Sequence, residues 1–184
     1  MRKILGKKIH FMPLPVLMLG TYDENGNPNL MNAAWGGIYD YNQVYVSLSK
    51  HKTTDNLEKT KAFTLSFASK DNVAESDYFG IVSGNKEDKI AKAGFHAKSS
   101  EFVNAPVFEE YPLTLECKVV SFKDGVLIGE VVNTSVDEKY LTEDGKIDVD
   151  KIGFISFDMI DNKYRVLGEI VGNAFSDGLK IKNK

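Results

Sequence analysis

The sequence predicts a mainly β protein, an antiparallel barrel with a few helices covering its ends. Three observations carry that expectation. Turn signals recur along the chain, runs of strand character lie between them, and no strand–helix–strand alternation persists as a parallel sheet would require.

Leu14–Tyr22 and Pro28–Ala33 flank Asp23-Glu24-Asn25-Gly26-Asn27 and read as a hairpin. Gln43–Ser49 and Ala62–Ala68 are short runs rich in β-formers, with Val44, Tyr45, Val46 and Leu48 in one and Phe63, Leu65 and Phe67 in the other. Between them Asp55-Asn56-Leu57-Glu58 offers an N-cap with glutamate three residues on, which predicts a short helix to about Thr60. Asn72-Val73-Ala74-Glu75 repeats the signature. Ala74, Tyr78 and Val82 follow at helical spacing, and Gly84 stops that helix. Asn85 is expected to cap a further helix through Ile90 and Ala93, ending at Gly94. Leu113, Leu115, Cys117 and Val119 alternate with Thr114, Glu116 and Lys118, the pattern of a half-buried strand with its thiol inward. Lys123-Asp124-Gly125 then turns the chain into Val126–Val136, an apolar run expected of a central strand. Phe154–Phe157 and Tyr164–Leu167, around Asp161-Asn162, are expected to close the sheet.

Composition narrows the function classes. The chain has 184 residues, 42% hydrophobic and 27% charged, enough for one domain with a real core. A net charge of −3 lacks the basic field of a nucleic-acid protein. The basic clusters Arg2, Lys3, Lys7, Lys8 and Lys180, Lys182, Lys184 read as solvated ends. Leu14–Leu19 contains Pro15 and is too short to span a bilayer, and the N-terminus lacks the apolar segment of a signal peptide. One cysteine permits no internal disulfide, so a cytoplasmic location is expected, and any electron transfer must rest on something other than sulfur. His10, His51 and His96 stand far apart without cysteine partners, so no metal site is expected. No nucleophile elbow, Walker loop or dinucleotide fingerprint occurs, and no side chain is assigned a catalytic role.

Three segments are candidates for binding. Asn32-Ala33-Ala34-Trp35-Gly36-Gly37 follows a strand; its small residues let a planar ligand approach the backbone, and Trp35 would stack on or wall an aromatic ring. The same residues also fit a plain strand-to-loop transition with a core tryptophan. Ser47-Leu48-Ser49-Lys50-His51-Lys52-Thr53-Thr54-Asp55-Asn56 runs off a strand into a helix start. It combines hydroxyls, ammonium groups and helix N–H groups, which suit a phosphate, although a capped helix with surface lysines has the same composition. Ser83 and Gly84 end one helix and Lys89 lies on the next, where it would reach an anion or simply join a solvated face.

Taken together these stretches resemble the flavin reductase-like family, in particular its flavoredoxin branch. The resemblance covers about residues 10–170, the expected core of a single domain over 1–184. It rests on Pro13-Leu14-Pro15-Val16, Asn32-Ala33-Ala34-Trp35, Val46-Ser47-Leu48-Ser49 with Lys52-Thr53-Thr54-Asp55-Asn56, Asp77-Tyr78-Phe79-Gly80 through Ser83-Gly84-Asn85-Lys86 and Lys89, and Tyr111-Pro112-Leu113-Thr114-Leu115-Glu116-Cys117. It implies a split β-barrel that dimerises and binds flavin mononucleotide (FMN). Asn32, Ala33, Ala34 and Trp35 would meet the isoalloxazine ring, and Ser47, Leu48 and Ser49 the ring and ribityl chain. Lys52 with Thr53 or Thr54 would hold the phosphate, Lys89 would add a second cation, and Ser83 and Gly84 would close the pocket. The implied activity is FMN-dependent electron transfer, with NAD(P)H or a redox protein as partner. A non-catalytic module holding FMN or a similar phosphorylated flat ligand explains the same residues.

Overall fold

The computed structural model describes residues 1–182; Asn183 and Lys184, the latter the last of the basic C-terminal cluster, lie outside the described residues. Strand β1 (Leu14–Pro15) is followed, after Val16, by β2 (Leu17–Tyr22), which turns back as β3 (Pro28–Ala33). Asp23 builds that turn. Its carboxylate accepts the N–H groups of Asn25 and Asn27, each at 2.9 Å, and Gly26 supplies a φ of 79° that favours glycine. Ala34 and Trp35 lead into β4 (Gly36–Asp40), which pairs with β5 (Gln43–Ser47). Helix α1 (Lys52–Thr60) leads to β6 (Ala62–Phe67), and the helices α2 (Val73–Ile81) and α3 (Lys89–Ala93) follow. A small hairpin, β7 (Ala97–Ser99) and β8 (Pro106–Phe108), precedes the long pair β9 (Leu113–Lys123) and β10 (Val126–Val136). The chain ends with α4 (Val149–Ile152), β11 (Ile155–Asp158), β12 (Lys163–Val166) and α5 (Leu179–Lys182).

Seven strands form one antiparallel sheet in the order β3-β2-β6-β9-β10-β5-β4. Its edges β3 and β4 are joined by only Ala34 and Trp35, so Ala33 and Gly36 lie within about 11 Å of each other. A flat sheet of this order would hold those edges roughly 29 Å apart, six spacings of about 4.8 Å. The sheet therefore curls into a half-barrel.

The curl explains why β2 is apolar on both faces. Leu17 and Leu19 point inward with Val46, Leu65, Cys117 and Leu127, while Val16 and Met18 pack outward with Leu30, Phe79 and Phe108. Phe63 is fully buried inside the barrel and lies against Gly129 of β10. A Cβ at Gly129 would collide with the Phe63 ring and press on Cys117, which accounts for a glycine inside an otherwise apolar strand. Gly129→Ala is expected to destabilise the protein by about 1–3 kcal/mol in urea titration, because the packed ring has little room to yield.

Several sequence expectations need correction. Helix α1 begins at Lys52, three residues before the expected cap at Asp55. The Thr54 hydroxyl closes the first turn instead, accepting the His51 N–H at 3.0 Å and donating to the His51 carbonyl at 2.8 Å. Helix α3 starts at Lys89 rather than after Asn85, because the Asp88 carboxylate accepts the Ala91 N–H at 3.1 Å. Thr114 and Glu116 of β9, expected to face water, are buried because residues 97–106 cross that face. Polar pairs line the covered face: Thr64 donates to the Pro106 carbonyl at 2.6 Å, Ser66 pairs with Thr114 at 2.8 Å, and Glu116 accepts from Asn133 at 2.5 Å and from the Ser100 hydroxyl. Finally, β11 and β12 do pair around Asp161-Asn162. They join β1 in a separate three-stranded sheet, with Leu14 opposite Phe157, and do not close the main one.

Candidate functional site

The segment after β5 is pinned on both sides. The Ser47 N–H donates to the Trp35 carbonyl and the Leu48 N–H to the Gly125 carbonyl, both at 2.7 Å. These bonds bring the Trp35 loop, the Ser47–Ser49 stretch and the β9–β10 turn together at one end of the barrel. Leu48 turns into the core, whereas Ser47 and Ser49 face solvent. The chain then enters α1, whose first turn presents N–H groups that lack intrahelical acceptors and carries the positive end of the helix dipole.

Beside that turn lies a cavity of about 280 Å³ whose lining includes Asn29, Asn32, Lys52, Thr53, Ser83 and Lys89. Thr53 is buried, and its hydroxyl accepts from Asn29 Nδ2 at 2.9 Å, which leaves its proton available to a ligand. The Thr54 hydroxyl is committed within the helix and does not line the cavity. Lys52 Nζ stands 3.4 Å from the Asp23 carboxylate and 3.5 Å from the Gly84 carbonyl. Burial would raise the Asp23 pKa, but the hydrogen bonds from Asn27 and Asn25 prevail and hold it below the usual carboxylate range.

Lys89 is buried on α3 and donates to the Phe79 and Val82 carbonyls, each at 3.1 Å, at the C-terminal end of α2. Its ammonium is costly there. Burial, and then the nearby Lys52 charge, push its pKa down to about 8. No carboxylate pairs with it among the described salt bridges. Gly84 closes the cavity tightly, for a Cβ there would strike Asn29 Oδ1.

Of the residues singled out in the sequence, Asn32, Lys52, Thr53, Ser83, Gly84 and Lys89 line this one cavity. Ala33, Ala34, Trp35, Ser47, Leu48, Ser49 and Thr54 do not. Trp35 is 59% exposed, so it is not a core tryptophan. It lines an apolar recess of about 250 Å³ with Phe11, Leu14, Tyr45 and Met159. Asn32 at the cavity and Trp35 at the recess are three residues apart, hence no more than about 11 Å. Asn32 is itself fixed by donating to the Ser76 carbonyl at 2.8 Å.

Asn29 was not among the sequence candidates. The only signal for it is an amide in an otherwise strand-forming stretch, Pro28-Asn29-Leu30-Met31, where asparagine is a poor β-former. Tyr164 also approaches this region, donating to Asp77 at 2.7 Å; burial and then the Asp77 carboxylate push its pKa up to about 12. Cys117 is buried in the core with its thiol pushed up to about 12, so it supplies no thiolate at neutral pH.

A family model described as the flavin reductase like domain matches residues 9–148. The chain belongs to the flavin reductase-like family. Flavoredoxin of Desulfovibrio vulgaris (Miyazaki F) is 37% identical, with a TM-score of 0.92 over 97% of this chain and 100% of that one. Flavoredoxin from Methanosarcina acetivorans is 29% identical, with a TM-score of 0.88 over 98% of this chain and 100% of that one. An FMN-binding protein from Thermus thermophilus with bound 1-cyclohex-2-enone shares the fold at 22% identity, with a TM-score of 0.75 over 94% of this chain and 97% of that one. No curated protein matches the chain. Within the family this chain has the split β-barrel, and no described helix is long and apolar enough to cross a membrane.

Proposed function

We propose that this flavin reductase-like chain binds FMN and acts as an electron-transferring oxidoreductase, with NAD(P)H or a redox protein as its partner. One observation carries the reading: a cavity with two ammonium groups, a free hydroxyl proton and a helix N-terminus lies within a flavin's reach of an apolar recess walled by Trp35. The donor set suits a phosphate dianion, and Gly84 stands so close to Asn29 that any side chain there would collide with the cavity wall.

FMN, when bound, supplies the redox chemistry. The phosphate would be held by Lys52, Thr53, Lys89 and the first-turn N–H groups of α1. Asn32, Ala33, Ala34 and Trp35 would hold the ring, with Ser47, Leu48 and Ser49 alongside it, and Ser83 and Gly84 would close the phosphate end. Trp35 and Tyr45 exclude water from one face by their area alone. Mixing the FMN-loaded protein anaerobically with NADH, NADPH or a reduced redox protein tests the activity. Loss of the flavin's visible absorbance with one of them is expected; no reduction by any would leave a binding module only.

Lys89 makes binding depend on pH. A dianion beside it favours the charged form, so binding raises its pKa above the ligand-free value near 8. At higher pH the protein must take up a proton to bind, and affinity is expected to fall by up to about tenfold per pH unit above 8. Titrations between neutral and alkaline pH check this, and Lys89→Arg should flatten the slope because a guanidinium stays charged.

A homodimer belongs to the same proposal. Trp35 in the recess, Ile38, Tyr39 and Tyr41 shortly after it in the chain, and Ile170, Val171 and Phe175 near the C-terminus are exposed apolar side chains of the kind a second copy would cover. Sedimentation at twice 20.5 kDa is the expected result.

A further inference from the structure

We propose that the basic segment ahead of β1, residues 1–12, is the docking surface for an acidic electron-carrier protein that reduces the bound flavin. This rests on the function proposed above and names the kind of redox partner it calls for. Charge is divided unevenly along the chain. Arg2, Lys3, Lys7 and Lys8 fall within these twelve residues, and the first carboxylate is Asp23. Four of the 23 basic residues and none of the 26 acidic ones thus lie here, which leaves 19 against 26 elsewhere, a segment of +4 on a body of −7. All twelve residues are exposed. None of the four cations takes part in an ion pair among the described residues.

The segment is also placed, as a merely solvated end would not be. Ile9 and Phe11 line the apolar recess with Trp35 and Tyr45, and the Phe11 N–H donates to Met159 Sδ at 3.3 Å. Gly6, at a φ of 75°, bends the chain just before, and the Lys8 N–H donates to the Gly6 carbonyl at 3.0 Å. Lys7 and Lys8 stand one or two residues from Ile9, hence within about 8 Å of the recess wall along the backbone. Asp158 and Asp161, on either side of Met159, are both engaged by Arg165, at 2.6 and 3.2 Å, and so do not cancel the segment's charge. The acidic body selects among polyanions. A nucleic acid or an anionic bilayer extends past the segment and meets the −7 of the body, whereas a small carrier with one acidic face meets the segment alone. The bend at Gly6 also denies the segment the continuous amphipathic helix of a membrane anchor. Two reduced carriers, each losing one electron, and one proton from water convert one bound FMN to FMNH⁻.

The test mixes the FMN-loaded full chain anaerobically with a reduced plant-type [2Fe–2S] ferredoxin, a strongly acidic carrier, and follows flavin absorbance by stopped flow. The second-order rate constant is expected to fall at least about tenfold as ionic strength rises from about 0.02 to about 0.3 M. Lys7→Glu with Lys8→Glu should slow the low-salt reaction by at least about tenfold and leave FMN affinity within about twofold. Lys118→Glu with Lys151→Glu, exposed and outside the segment, makes the same change in net charge and should slow it by less than about threefold. A rate without salt dependence, or slowed equally by both variants, overturns the inference. So does reduction by NADH or NADPH but not by the ferredoxin. Cosedimentation with phosphatidylserine vesicles that the Lys7 and Lys8 substitutions abolish overturns it in favour of a membrane surface. In each of these cases a flavin that is reduced leaves the proposed function standing. A bound flavin reduced by none of the three donors removes that function, and the inference with it.

Discussion

Lys52→Ala is expected to weaken FMN binding by about 10- to 100-fold while leaving riboflavin binding within a factor of two. The magnitude follows from a charge-assisted hydrogen bond to phosphate, worth about 1.5–3 kcal/mol. The selectivity follows from position. Lys52 lines the cavity at the start of α1 together with Thr53 and Gly84, whereas the apolar recess at Trp35 lies beyond Asn32. Riboflavin has the ring and ribityl chain but no phosphate, so it does not register the loss. Lys52 is half-buried, and its nearest carboxylate is Asp23, itself well supplied with donors by Asn25 and Asn27. Its removal therefore strands no uncompensated buried charge, and the fold should persist. Equal weakening of both ligands in calorimetric titration would place the ammonium against the ring and reverse the assignment of the two ends.

Phe63→Ala is expected to cost about 3–5 kcal/mol of stability, the largest single loss in the barrel. Phe63 is fully buried, and its ring fills the space that Gly129 leaves free on the opposing strand. Truncation creates a cavity that cannot collapse, since β6 and β10 both pair with β9 and cannot close on each other. Chemical denaturation measures the loss directly. A change below about 1 kcal/mol would mean that the barrel interior repacks freely, contrary to the close approach at Gly129.

Much of the fold is legible in local chemistry. Asp23 and Gly26 specify their turn whatever surrounds them, and Val126–Val136 reads as a central strand because it is covered on both sides by β9 and β5. What local chemistry cannot carry is long-range cover. The alternation in Leu113–Val119 is correct, yet Thr114 and Glu116 are buried because residues 97–106 cross them; Ser100 donates to Glu116, while Thr114 is satisfied by Ser66 of the neighbouring strand. The same limit applies to the site. Lys52, Thr53 and Lys89 are recognisable as anion-binding types, and their convergence depends on how α2 and α3 pack over β3. Asn29 matters only because β3 carries it beside Thr53, and the choice between Thr53 and Thr54 turns on which hydroxyl the helix itself consumes.

The central claim is that the cavity beside α1 and the recess at Trp35 together hold one FMN. Titration of FMN into the flavin-free protein, followed by its visible absorption, tests this most directly. A shifted flavin band that saturates at one FMN per chain is the expected result; an unshifted spectrum with no saturation would contradict it.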